Sequence, residues 1–339
     1  MVSVATDVVT ENLNEGTDTV ITALASYTIA ANVENLIGTR NGLLFGTTFT
    51  ATGNALNNFI TGTSGADSLQ GGDGNDTLVG GGTNALNNLL SDADNLNGGA
   101  GNDTVTFEGL TAGVQVTLAN QTSNQNVTNG IIRLQSIENL LGSAFDDRLS
   151  GDANANVING GGGNDILVGG LGTDTLTGGT GVDTADYSGA TATVNLSLRT
   201  GLATGNQGSD VLSEIEVLIG GSGNDTLEGD AFDNQLDGGL GNDTFIVSAG
   251  NDTIVGGGGT DLVVLSGAIE DYTFVIDRVS GQLVVRGTAG NSSTLIQVEQ
   301  VQFLAGNAGT VAVANLPMTD IAPARVTAFS ASSPSGLFK

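Results

Sequence analysis

The chain has 339 residues, 54 of them glycine, with 36 aspartates and glutamates against 8 lysines and arginines, so its formal charge is −28; histidine, cysteine and tryptophan are absent. These zeros exclude a zinc site of the usual nitrogen and sulfur type, a disulfide framework, and Ser-His-Asp or Cys-His nucleophile pairs. So large a negative charge repels nucleic acid and anionic lipid, and no apolar run approaches the length of a transmembrane helix.

In chain order, residues 1–12 lack a basic start and an apolar run, so no secretory signal peptide is expected. Residues 15–29 (EGTDTVITALASYTI) read as the tail of a preceding repeat running into a strand, and 1–52 is expected to be a degenerate N-terminal β segment. From Gly53 the chain divides into nines: GNALNNFIT, GTSGADSLQ, GGDGNDTLV, GGGTNALNN, LLSDADNLN and GGAGNDTVT, a block over 53–106. After a segment at 107–141 a second block covers 142–186: GSAFDDRLS, GDANANVIN, GGGGNDILV, GGLGTDTLT and GGTGVDTAD. After 187–219 a third covers 220–264: GGSGNDTLE, GDAFDNQLD, GGLGNDTFI, VSAGNDTIV and GGGGTDLVV. A capping β segment at 265–305 and a tail at 306–339 complete the expected organisation.

The consensus G-G-x-G-x-D-x-U-x, with U a large apolar residue, has a physical reason at each place. The glycines permit positive φ and close backbone approach, so the first six residues form a tight loop. The x-U-x triplet is a short strand that points one apolar side chain inward. A single unit cannot bury that face, but stacked neighbours can. Leu69, Leu78, Leu167, Leu176, Leu227 and Phe245 are therefore candidate core. The sixth place holds Asp in twelve of sixteen units, Asn at 58, 156 and 234, and Ala at 85. The twelve candidate metal ligands are Asp67, Asp76, Asp94, Asp103, Asp147, Asp165, Asp174, Asp183, Asp225, Asp243, Asp252 and Asp261. Asp and Asn also make turns without metal, but carboxylates repeated at every coil repel one another and call for a cation. Oxygen ligands without nitrogen or sulfur select Ca²⁺ or Mg²⁺, and flexible glycine loops offering carbonyls suit Ca²⁺.

GGDGNDTLV, GGLGTDTLT, GGSGNDTLE and GGLGNDTFI resemble the RTX, or haemolysin-type calcium-binding, nonapeptide repeat. The resemblance implies an all-β fold: parallel β-roll blocks alternating with short antiparallel β segments in an elongated solenoid. It also implies two nonapeptides per coil and calcium between same-side loops two units apart. That rule pairs Asp76 with Asp94, Asp147 with Asp165, Asp165 with Asp183, Asp225 with Asp243, and Asp243 with Asp261, with weaker pairs from Asn156 with Asp174 and Asn234 with Asp252. It implies roughly five to eight calcium ions.

A second repeat links the blocks. Alternating apolar residues (Val114, Val116 and Leu118; Val194, Leu196 and Leu198; Tyr272, Phe274 and Ile276) predict half-buried strands. Each segment returns to a short acidic motif: Ile137-Glu138-Asn139-Leu140, Ile215-Glu216-Val217-Leu218 and Val298-Glu299-Gln300-Val301, with Val33-Glu34-Asn35-Leu36 before the first block. Paired carboxylates can hydrolyse glycosides, but a Glu that recurs with the repeat has the pattern of a structural joint, with an added calcium ligand as the other reading.

No HExxH or GxSxG context occurs, so no catalytic residues are expected and the chain is not expected to be an enzyme. Self-repulsion and glycine entropy predict a loose chain at low calcium and a folded one at extracellular calcium. The resemblance implies a bacterial protein, secreted or at the cell surface, with a structural or adhesive role. Its implied partners are calcium, a type I secretion apparatus with its signal in the tail, and cell-surface or glycan ligands. The rival expectation is a calcium-dependent secretion and stability module of a larger extracellular enzyme or adhesin.

Overall fold

One apolar residue in nine gains burial only when the same place in the next coil lies directly over it. The computed structural model describes residues 7–13, 15–39, 48–63, 65–81, 93–127, 130–205, 208–277, 282–288, 290–305 and 309–316. Among these residues the structure is all-β apart from two single-turn 3-10 helices. No helix among them is long and apolar enough to cross a membrane. The chain forms two compact units, 1–183 and 184–339, so the last nonapeptide of the second block straddles the division.

In the first unit, Val157–Gly162 pairs in parallel with Thr175–Thr180, placing Ile158 opposite Leu176. Arg148–Ser150 pairs with Ile166–Val168 in another sheet, placing Leu149 opposite Leu167. Successive nonapeptides thus alternate between two parallel sheets, and two of them make one coil. The second unit repeats this register, with Leu227 opposite Phe245 and Leu236 opposite Ile254. The eighth-place residues Leu69, Leu78, Leu149, Ile158, Leu167, Leu176, Leu227, Phe245 and Ile254 are fully buried between the sheets. This is a parallel β-roll.

The first block departs from the even count. Leu69 faces Leu96 and Leu78 faces Val105, so hydrogen bonds across these coils join residues 27 apart, where they are 18 apart within the second and third blocks. The expected pairing of Asp76 with Asp94 is therefore wrong: Asp94 follows Asp67, and Asp103 follows Asp76. The coil carries one extra nonapeptide, 80–88, with Ala85 at its sixth place. An insertion of one whole period leaves the phase of nine unbroken and changes only the partner. Most of the extra unit lies outside the described residues.

Stacking begins before Gly53. Thr19–Thr22 pairs in parallel with Asn35–Gly38, and Ser26–Thr28 with Phe49–Thr52. After the second block Val194–Ser197, Leu202–Gly205 and Gly208–Ser213 form an antiparallel meander, as do Tyr272–Ile276, Leu283–Gly287 and Ser292–Ile296 after the third. The segment after the first block differs: among the described residues its antiparallel pair is Gln125–Val127 with Gly130–Gln135, while Gln115–Thr117, like Val194–Ser197, runs parallel to a strand of the next block. Val114, Val116, Leu118, Val194, Leu196 and Phe274 are buried, whereas Ile276 at its strand end is exposed. Part of the expected tail belongs to the fold, because Thr310–Ala312 pairs antiparallel with Gln300–Phe303 and Leu316 is buried. Residues 317–339, with the candidate secretion signal, lie outside the described residues.

Candidate metal centre

The sixth-place carboxylates turn inward and run as a ladder. Asp165 Oδ1 accepts the amide of Asp147 at 2.7 Å, and Asp183 Oδ1 accepts that of Asp165 at 2.8 Å. Asp243 and Asp261 do the same for Asp225 and Asp243, at 2.7 and 2.9 Å. Asp174 and Asp252 accept from Asn156 and Asn234. Each bond joins same-side loops of consecutive coils, so the structure brings together the expected pairs of the second and third blocks. Asp67 and Asp103 sit in the ladder of the first block, bonded to the amides of Phe49 and Asp76.

A second ladder runs the other way at the fifth place, which sequence reasoning treated as free. Asn164 Oδ1 accepts the amide of Val182, Asp146 Oδ1 that of Asn164, and Asn242 Oδ1 that of Thr260. The fifth-place side chain reaches forward one coil while the sixth-place carboxylate reaches back. The recurrent Asn-Asp dipeptide was the visible signal.

The second carboxylate oxygen divides the loops into two kinds. In the opening pair of units of every block, the second-place amide donates to the sixth-place side chain. Thr63, Ser143 and Gly221 donate to Oδ2 of Asp67, Asp147 and Asp225 at 2.5–2.6 Å, and Asn54, Asp152 and Asp230 donate to Asn58, Asn156 and Asn234 at 2.8 Å. These loops satisfy themselves. In later units the second-place glycine adopts positive φ, as at Gly72, Gly99, Gly161, Gly239 and Gly257. Only glycine holds that conformation cheaply. There, Oδ2 of Asp76, Asp103, Asp165, Asp243 and Asp261 is buried without a hydrogen-bond partner. Asp252, with Ser248 at the second place, shares that state.

A buried carboxylate oxygen without a donor is costly unless an ion compensates it. Carbonyl oxygens stand beside it. A Cβ on Gly71 would lie 2.5 Å from the Gly98 carbonyl and closer still to Asp76 Oδ2; at Gly160 the Gly178 carbonyl and Asp165 Oδ2 take the same places. Buried carboxylates beside backbone carbonyls, with no nitrogen or sulfur donor, form the hard oxygen set that suits Ca²⁺. The residues fit the ion.

Burial pushes the Asp165 and Asp243 carboxyls up to about 7, and those of Asp76 and Asp252 up to about 6; neighbouring carboxylates add to the rise and the ladder bonds oppose it. Burial likewise raises Asp103, Asp147 and Asp261. Because these folded values exceed the ordinary value, the metal-free fold binds more protons than the unfolded chain. The stability these carboxyls contribute is fully present below about pH 4 and lost as pH rises through about 6 to 7. In chelator, then, lowering pH from 8 to about 5 is expected to increase β content by circular dichroism. In calcium the same change is expected to raise the midpoint calcium concentration, because protons compete for the ligands.

The recurrent acidic motif is a joint of the same ladder. Glu138 Oε2 accepts the amide of Asp103 and Glu299 Oε2 that of Asp261, both at 2.8 Å, and Glu34 Oε2 accepts that of Asp18 at 2.9 Å. Two residues before each motif Glu stands a left-handed residue: Asn32, Ser136, Glu214 and Gln297 have φ of 68°, 48°, 54° and 51°. Among the described residues these are the non-glycine positions with positive φ. A six-residue glycine loop is thus replaced by one tight turn and a longer carboxylate arm.

Residues 52–84, 90–108, 141–176, 154–185, 219–254 and 237–267 match the family model of the RTX calcium-binding nonapeptide repeat (4 copies). A comparison with curated proteins gives no match. Among solved structures the chain is similar to the extracellular lipase LipA from Serratia marcescens, at 19% identity over 83% of this chain and 43% of the lipase, with a TM-score of 0.21. The chain therefore spans less than half of the lipase's length, and a likeness at that score says nothing of activity.

Proposed function

Because this chain carries RTX calcium-binding nonapeptide repeats, we propose that it is a secreted bacterial protein that folds on binding calcium and serves a structural or adhesive role at or outside the cell surface. The observation that carries this reading is the set of buried, partnerless carboxylate oxygens on Asp76, Asp103, Asp165, Asp243, Asp252 and Asp261 in a chain of charge −28. Without a cation these oxygens oppose the fold; with one, ligand binding becomes folding free energy. Extracellular calcium modules work at dissociation constants of about 10⁻⁴–10⁻³ M, which would keep the chain loose inside a cell and fold it outside. In this account the self-satisfied opening loops of each block hold their turns by amide donation, and the ions load the open loops that follow.

The second reading, a calcium-dependent secretion and stability module of a larger enzyme or adhesin, draws on the division into two compact units that each combine roll and antiparallel β segment. A cell-binding assay separates the two. The labelled full chain is incubated with bacterial cells in millimolar calcium, washed, and then exposed to chelator. Retention in calcium and release by chelator is the expected result. Equal, weak retention in both buffers would overturn the adhesive role in favour of the module.

A further inference from the structure

At the end of the first and third blocks the ladder runs out at a joint. After Asp103 and Asp261 no aspartate follows one coil on; the chain passes through a β segment and returns with Glu138 and Glu299, 35 and 38 residues later. Three features of an open loop are rebuilt there from different residues. The Glu carboxylate accepts the sixth-place amide at 2.8 Å, the part the next aspartate plays within a block. The carbonyl oxygen of left-handed Ser136 stands against Gly98 beside Asp103 Oδ2, and that of Gln297 stands against Gly256 beside Asp261 Oδ2. This is the place the Gly178 carbonyl takes beside Asp165 Oδ2. Finally, Asp103 and Asp261 are fully buried, and the Oδ2 atom of each has no hydrogen-bond partner.

We propose that these joints are metal sites in their own right, with Glu138 and Glu299 as calcium ligands opposite Asp103 and Asp261 and the carbonyls of Ser136 and Gln297 as neutral donors. Neither Glu lies within the residues that match the nonapeptide family model. The proposal rests on the reading that open loops bind calcium, and it extends loading to the end of the ladder. A cation there fastens the returning β segment to the last coil, tying residues far apart in sequence. The earliest joint shows the same convergence of carboxylates: Glu34 accepts the Asp18 amide, and carboxylate oxygens of Glu11, Asp18 and Glu34 all lie within 4.8 Å of one another.

Glutamine separates the ligand role from the joint role, because its amide oxygen still accepts the sixth-place N–H while the charge is gone. The full chain is stripped with chelator and dialysed against calcium; bound ions are counted by atomic emission and affinities read by calorimetry. Asp165→Asn serves as the within-block comparison, and circular dichroism reports folding. Glu138→Gln and Glu299→Gln are each expected to lose one ion, or to bind it about tenfold or more weakly, with β content kept. Calcium counts and affinities equal to wild type in both, alongside a loss in Asp165→Asn, would overturn the joint sites and leave calcium binding by the open loops intact. A wild-type chain that binds no calcium would overturn the open-loop reading itself. The two joints lie in different compact units, so if one Gln variant does not fold the other still decides.

Discussion

Asp165→Asn is expected to stabilise the chain without calcium and destabilise it with calcium. The asparagine oxygen can still accept the Asp147 amide, now bound by Oδ1 at 2.7 Å, so the ladder persists. What changes is the charge. In chelator at pH 8 the wild-type carboxylate, raised to about 7 by burial, must ionise inside the roll beside Asp147 and Asp183. Removing that charge should raise stability by roughly 1–3 kcal/mol. In saturating calcium the same change deletes a charged ligand, and the midpoint calcium concentration should rise about tenfold or more. Residual β content by circular dichroism reads the first effect in chelator, and urea unfolding reads the second in calcium. Destabilisation of similar size in both would mean that Asp165 serves only as a turn residue.

Gly239→Ala tests the other half of the open loop. Gly239 has φ of 88°, and a Cβ there would be driven into the Gly221 carbonyl of the preceding coil. The left-handed conformation alone costs an L-residue roughly 1–2 kcal/mol, and the backbone clash adds to it. A loss of about 2–4 kcal/mol in the calcium-loaded protein is expected. Gly189→Ala in the same unit is the control. Gly189 does not have positive φ, and a Cβ there meets no atom within 4 Å. Its effect should stay within about 0.5 kcal/mol. Equal effects would show that the second-place conformation does not matter.

The period of nine, the buried eighth place and the sixth-place carboxylate were legible because each follows from one residue at one spacing. Leu167, Leu176 and Phe245 lie where stacking requires them. The long coil of the first block was not legible, since a whole extra nonapeptide changes which Asp meets which without disturbing the phase, and only Ala85 and the glycine-free LLSDADNLN hinted at it. The split between self-satisfied and open loops was half visible. Asn54, Thr63, Ser143, Asp152 and Asp230 replace the second glycine at the start of blocks, but Gly221 keeps the glycine and still donates to Asp225. Its loop packs against Ala190 and not on a preceding open loop, a tertiary fact that no local pattern encodes. The motif Glu was recognised as a joint by its recurrence. That its carboxylate stands in for the next Asp depends on the left-handed turn before it, where Ser136 and Gln297 carry no shared signature.

A cation that completes the fold should drive folding of the stripped chain by itself. The most direct measurement is circular dichroism with hydrodynamic radius during a calcium titration of the chelator-stripped chain, with magnesium at equal ionic strength as control. A cooperative gain of β signal with compaction in calcium, and little change in magnesium, is the expected result. A chain shown to be metal-free that is already compact and β-rich at neutral pH, and unchanged by calcium, would contradict it.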